Sequence, residues 1–183
     1  VPRPPVTGEI HDQVFIDGTY LAHGWCLLVA RNNTGTIAAW QWCSSENSAA
    51  YTQLLSMIPA PTLVTTDGHG GALKALKECW PTTAVQRCLL HVHRNNTRDL
   101  TKRPKTMAGR ALIALSKQLL DITSIDQATS WAVQLANFHT HYADYLRERT
   151  YARDDPATAA SKGKKPTSWW YTHERDRRVY HRL

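Results

Sequence analysis

Twice the chain runs a short strand-forming segment into an aspartate and a glycine: Val14-Phe15-Ile16-Asp17-Gly18-Thr19-Tyr20, and Thr62-Leu63-Val64-Thr65-Thr66-Asp67-Gly68. Apolar and β-branched residues suit a pleated, half-buried strand. Because an unpaired buried charge is very costly, each run has to deliver its acid to a sheet edge or opening. For either segment alone a turn aspartate explains the pattern equally well, since Asp-Gly is a common turn dipeptide. The repetition is what separates the two: if both strands are neighbours in one sheet, Asp17 and Asp67 face a common point.

Around these runs strands and helices alternate. Residues 25–30 and 36–42 are apolar runs separated by Arg31-Asn32-Asn33-Thr34-Gly35, which suits a hairpin loop in an antiparallel meander. Ser45 or Asn47 caps a helix through Ala50, Leu54 and Leu55, closed by Pro59 and Pro61. After Asp67 a helix carries Ala72, Leu73, Ala75 and Leu76, residues 83–86 form a short strand, and another helix starts at Cys88. Residues 10–100 therefore read strand, strand, strand, helix, strand, helix, strand, helix, an α/β fold built on a mixed sheet. Beyond Thr106 the pattern is helical only, over 107–120, 125–135 and 138–146, followed by a loop at 152–167 and a helix from Thr167. Three parts are expected: a Pro-rich N-terminal arm over 1–9, an α/β core over 10–100, and an all-helical domain over 101–183, expected to be incomplete at the C-terminus.

Charge divides along the same line. Residues 1–93 hold five Lys/Arg against six Asp/Glu, and residues 94–183 hold seventeen against nine, which together give the net +7. A basic half beside a near-neutral half suggests a polyanion partner, most simply nucleic acid. Arg94, Arg98 and Lys102 recur every four residues along one helix face, and with Arg103 and Lys105 they form the best phosphate-binding patch. The four cysteines, Cys26, Cys43, Cys79 and Cys88, form no Cys-x-x-Cys pair, and no N-terminal apolar segment resembles a signal peptide. A reduced, cytoplasmic protein is expected. No apolar run approaches the roughly 20 residues of a membrane helix.

Paired strand-end carboxylates suit a hard divalent cation, because Mg²⁺ takes oxygen ligands and commonly uses one or two carboxylates with water and substrate phosphates. Two such ions roughly 4 Å apart can serve the attacking and leaving oxygens of a phosphodiester. Cys88 and His91 lack the second Cys/His pair that structural zinc needs. Their i, i+3 spacing puts both on one helix face, as core packing or as contact with substrate. His69 reads as exposed in a glycine loop, and Trp169-Trp170-Tyr171 as packing against the helical domain rather than stacking on bases.

These residues resemble the DDE transposases of the ribonuclease-H-like fold, specifically the Mutator-like branch with many bacterial insertion sequences. The matching motifs are Phe15-Ile16-Asp17-Gly18-Thr19, Thr65-Thr66-Asp67-Gly68 and Arg87-Cys88-Leu89-Leu90-His91, the last resembling that branch's Cys-x-x-His signature. The resemblance implies a ribonuclease-H-like catalytic core over 10–100 followed by a helical insertion domain. It also implies metal-dependent strand cleavage and strand transfer with Asp17 and Asp67 as catalytic metal ligands, Mg²⁺ or Mn²⁺ as cofactor, transposon-end and target DNA as partners, a homodimer, and a bacterial cytoplasmic location. The family's third acid, a glutamate in an Asn-x-x-Glu-Gly-like context, has no match here, so it is expected beyond Leu183 and the 183 residues alone are expected to be inactive. Glu148 and Glu174 read instead as solvated surface acids.

Two other functions fit parts of the pattern. A non-catalytic nucleic-acid-binding module would use the basic half and treat both acids as turn residues. A haloacid-dehalogenase-type phosphatase would share Asp17-Gly18-Thr19, but its nucleophilic acid would stand two residues earlier, where this chain has Phe15.

Overall fold

The computed structural model describes Val6 and residues 8–183, so the expected arm over 1–9 lies largely outside the described residues. The chain divides into two compact units, Val1–Cys88 and Leu89–Leu183.

The first unit is a mixed α/β structure. In chain order it comprises β1 (Gln13–Tyr20), β2 (Cys26–Asn32), β3 (Ile37–Cys43), α1 (Ser48–Leu55), β4 (Leu63–Thr66), α2 (Gly70–Cys79) and β5 (Ala84–Arg87). These strands form one five-stranded sheet in the order β3-β2-β1-β4-β5. The β1–β2 and β2–β3 pairs are antiparallel, as expected for the meander, whereas β1–β4 and β4–β5 are parallel. The Asn32 side chain sets the β2–β3 turn by accepting from the amides of Thr34 (3.1 Å) and Thr36 (2.9 Å). Asn47 rather than Ser45 caps α1, accepting from the Ala50 amide at 3.0 Å.

Alternation along β1 buries Val14 and Ile16 and leaves Asp17 exposed. The buried side joins Leu28, Leu54, Leu55, Val64 and Leu76 in one core, each fully buried residue contributing about 1.5–3 kcal/mol relative to exposure. The turn-aspartate alternative fails for the first segment: β1 does not turn at Gly18. It runs on to Tyr20, paired with β2 as far as Cys26, because β2 continues to offer backbone partners after β4 has ended.

The second unit contains α3 (Leu89–Leu100), α4 (Met107–Gln118), α5 (Ile125–Arg147), β6 (Arg149–Tyr151), α6 (Pro156–Ser161), β7 (Trp169–Tyr171) and α7 (Glu174–Tyr180). Leu112, Leu115, Phe138, Leu146 and Val179 form its core. A half-buried polar network ties the C-terminal turn down: Arg182 donates to Asp99 at 2.7 Å and to Asn96 at 2.8 Å, and Asn96 donates to Ser116 at 2.9 Å.

The all-helical expectation for 101–183 is corrected by β6 and β7, which pair antiparallel. Three-residue strands are too short to show a two-residue period, and cross-strand contacts hold them instead. Arg149 lies over the Trp169 ring at 4.0 Å, and the Thr150 and Thr172 hydroxyls are 2.8 Å apart. The helix expected from Thr167 is thus strand β7 followed by α7, and the expected loop at 152–167 contains α6. The segments 125–135 and 138–146 are one helix, α5, interrupted only at Tyr142 with φ −110°.

No helix among the described residues is long and apolar enough to cross a membrane.

Candidate active site

The parallel β1–β4 ladder ends at the pair Ile16–Thr66, so Asp17 and Asp67 are the next residues on two adjacent strands. Asp17 is exposed and Asp67 half-buried. Each uses one carboxylate oxygen locally: Asp17 Oδ1 accepts from the Gly18 amide at 3.0 Å, and Asp67 Oδ1 accepts from the His69 amide at 2.8 Å and the Thr66 hydroxyl at 3.4 Å. Among the described residues the Oδ2 of each has no hydrogen-bond partner. Two free, hard oxygens at an open strand end are a donor set that fits Mg²⁺ or Mn²⁺, which take one or two carboxylates and complete their shell with water. Among the described residues no three His, Cys, Asp or Glu side chains converge as a metal cluster.

Each glycine that follows an acid makes room for a neighbouring side chain. At Gly18 a Cβ would come within 2.5 Å of the Glu46 carboxyl carbon. Glu46 is held there by the Tyr51 hydroxyl at 2.7 Å, while its amide donates to the Tyr20 hydroxyl at 3.2 Å. Burial, reinforced by the charges of Glu46 and Asp67, pushes the Tyr51 hydroxyl far above the ordinary tyrosine range, so it remains a donor. At Gly68, where φ is +85°, a Cβ would come within 2.4 Å of Arg87 Nε. Arg87 donates from its NH2 group to the Asp67 carbonyl at 3.1 Å, and its Nε is buried without a hydrogen-bond partner. A cation is thereby fixed beside the second acid.

Sequence reasoning missed Glu46 and gave Arg87 no role beyond its motif. Glu46 is an isolated acid in a connection, and only the fold carries it over Gly18. Phe15, two residues before Asp17, is covered by Arg31 at 5.3 Å from its ring centroid and offers no nucleophile. His69 is exposed as expected, but it also caps α2: its Nδ1 accepts from the Gly71 amide at 3.2 Å, which places the ring proton on Nε2.

Cys88 precedes the first residue of α3 and so does not share a helix face with His91. Its amide donates to the Thr66 carbonyl at 2.7 Å, next to the Asp67 strand end. His91 lies on α3 with Nδ1 buried and unpartnered. Of the basic residues, Arg94 and Arg98 are exposed on α3, but Lys102 is not on that face. The helix ends at Leu100 and Thr101 adopts φ +69°, so Lys102, Arg103 and Lys105 lie in the connection to α4. Among the described residues none of these five cations has an ion-pair partner. The exposed Glu148 carboxylate lies 3.0 Å from Nε2 of half-buried His173, and Glu174 pairs with Arg178 at 3.3 Å, both acids on the surface as expected.

A family model described as "Transposase, Mutator family" matches residues 33–157. The chain is also similar to the transposase for insertion sequence element IS905 of Lactococcus lactis subsp. lactis (strain IL1403), at 30% identity over 97 residues. That match covers 45% of this chain and 25% of the relative, so the chain spans about a quarter of the curated protein it matches.

Proposed function

The chain belongs to the Mutator family of transposases, and from that premise we propose that its first unit is the ribonuclease-H-like part of a DDE catalytic core for DNA strand cleavage and strand transfer. The observation that supports this is the register of Ile16 against Thr66, the last pair of a parallel ladder that Asp17 and Asp67 each directly follow. The strand order, with an antiparallel meander joined through β1 to two parallel strands, supports the ribonuclease-H-like reading. The second unit is read as the insertion domain, and transposon-end and target DNA, bound by a homodimer, as the partners.

Asp17 and Asp67 would hold Mg²⁺ or Mn²⁺ through their free Oδ2 atoms. When bound, the ion supplies charge stabilisation at the attacking and leaving oxygens of the phosphodiester. The chain's own groups prepare that chemistry. The Thr66 hydroxyl and the His69 amide hold the Asp67 carboxylate through Oδ1, so its second oxygen is not used by either. Arg87, anchored on the Asp67 carbonyl, adds fixed positive charge where a scissile phosphate would lie. Arg94, Arg98, Lys102, Arg103 and Lys105 neutralise backbone phosphates elsewhere along the DNA.

Manganese binding measured by electron paramagnetic resonance tests the assignment. Asp17→Asn and Asp67→Asn should each weaken binding at least tenfold with folding unchanged. Binding that survives both substitutions would overturn the metal site and favour a non-catalytic DNA-binding module, in which both acids are dispensable.

A further inference from the structure

Within the second unit a cavity of about 530 Å³ opens among the α3–α4 connection, the end of α6 and the β7–α7 segment. Four cations line it: Arg103, Lys105, Lys162 and Arg175. None has an ion-pair partner among the described residues, although Lys162 lies over the Trp170 ring at 4.6 Å. The acids in the same lining are committed elsewhere. Asp99 is paired with Arg182 at 2.7 Å and Glu174 with Arg178 at 3.3 Å, while buried Asp176 accepts from the Tyr145 and Thr106 hydroxyls. Four cations without an ion-pair partner therefore share the lining with three carboxylates, two of them ion-paired to other arginines and the third hydrogen-bonded. The lining also includes Tyr171, whose ring has the Arg177 guanidinium over one face at 4.0 Å, and His173, whose ring is stacked on Tyr145 at 3.6 Å.

Size and chemistry together select a ligand class. The cations select an anionic ligand, and the Tyr171 face opposite Arg177 can take a flat apolar group. A duplex keeps its bases paired and stacked between its two backbones, so it cannot present a base face to Tyr171. A strand whose bases are unpaired can, since its phosphates and bases separate to meet cations and aromatic rings individually. We propose that this cavity binds one or two unpaired nucleotides of a DNA strand, through phosphate contacts to Lys162 and Arg175 and base contact with Tyr171. The proposal rests on the DNA-acting reading above and adds a preference for unpaired strand that this reading does not contain.

Fluorescence anisotropy of the 183-residue chain with a labelled oligothymidylate, and with a duplex of equal length, tests it. The double substitution Lys162→Gln with Arg175→Gln, both on exposed side chains, should lower single-strand affinity about tenfold. It should also flatten the salt slope by about 1.4, given about 0.7 per lost single-strand phosphate contact, and leave duplex affinity unchanged. Arg110→Gln with Lys117→Gln removes the same charge from exposed positions on α4 outside the cavity and should leave single-strand binding unchanged. Equal losses from the two double variants, or parallel losses of single-strand and duplex binding, would overturn the cavity and reduce it to general surface charge. Complete competition by millimolar inorganic phosphate would overturn the strand and leave only an anion site. Duplex binding without any single-strand binding sinks this proposal while the DNA-acting reading stands; absence of both sinks the two together.

Discussion

The Glu46 carboxylate occupies the space that a side chain at position 18 would need, with its carboxyl carbon 2.5 Å from where a Cβ would stand. Gly18 therefore makes room for a close approach rather than forming a turn, since β1 continues through it as an extended strand. Gly18→Ala should displace Glu46 and leave the Tyr51 hydroxyl, on a side chain only 1% exposed, without its acceptor. A buried donor left unsatisfied costs about 1–3 kcal/mol. Urea unfolding should show that loss for Gly18→Ala and a much smaller additional loss when Tyr51→Phe is combined with it; full additivity would disconnect the two.

Gly68 combines two constraints. Its φ of +85° disfavours any residue with a Cβ, and that Cβ would meet Arg87 Nε at 2.4 Å. Gly68→Ala should cost about 1–2 kcal/mol from the backbone alone. Because Arg87 must also leave the Asp67 carbonyl, Arg87→Gln should relieve part of the defect in the double variant, a rescue that chemical denaturation can measure.

In the second unit the Asp99–Arg182 pair is nearly dry, with side-chain exposures of 11% and 14%. Removing one member of a buried pair strands the other, at about 3–5 kcal/mol. Asp99→Ala should therefore lower the melting temperature more than Asp99→Ala combined with Arg182→Met. A larger loss in the double variant would show that the pair itself is not what stabilises this end of the chain.

Tyr145 gives the same unit an alkaline limit. Burial, and then its hydrogen bond to Asp176, push the hydroxyl up to about 12 from 10.0. The folded state thus holds this proton more tightly than the unfolded chain. Its contribution is fully present below about pH 10 and is lost as pH rises towards about 12. Thermal melting across that window should decline less steeply for Tyr145→Phe than for the parent chain.

Long-period features were legible before the fold was known, and short or three-dimensional ones were not. The β-branched runs before Asp17 and Asp67, and the helices carrying Leu54 and Leu76, declare themselves because periodic burial is written into neighbouring residues. The ribbon of β6 and β7 has three residues per strand and is held by partners such as Arg149 on Trp169, so its local sequence could not distinguish it from helix or loop. Lys102 kept the four-residue spacing of Arg94 and Arg98, yet the left-handed Thr101 ends the helix before it. Spacing shows what a helix would present, not where that helix stops.

The sequence by itself determined that two acids leave two strands, that the first half of the chain is α/β, and that positive charge gathers in the second half. These follow from residue type and local order alone. Only the tertiary structure decided that β1 and β4 are parallel neighbours ending at Ile16 and Thr66, that Glu46 lies over Gly18, and that Arg87 rests on the Asp67 loop. Each of those is a contact across many residues, and strand pairing and side-chain reach depend on how the whole sheet closes.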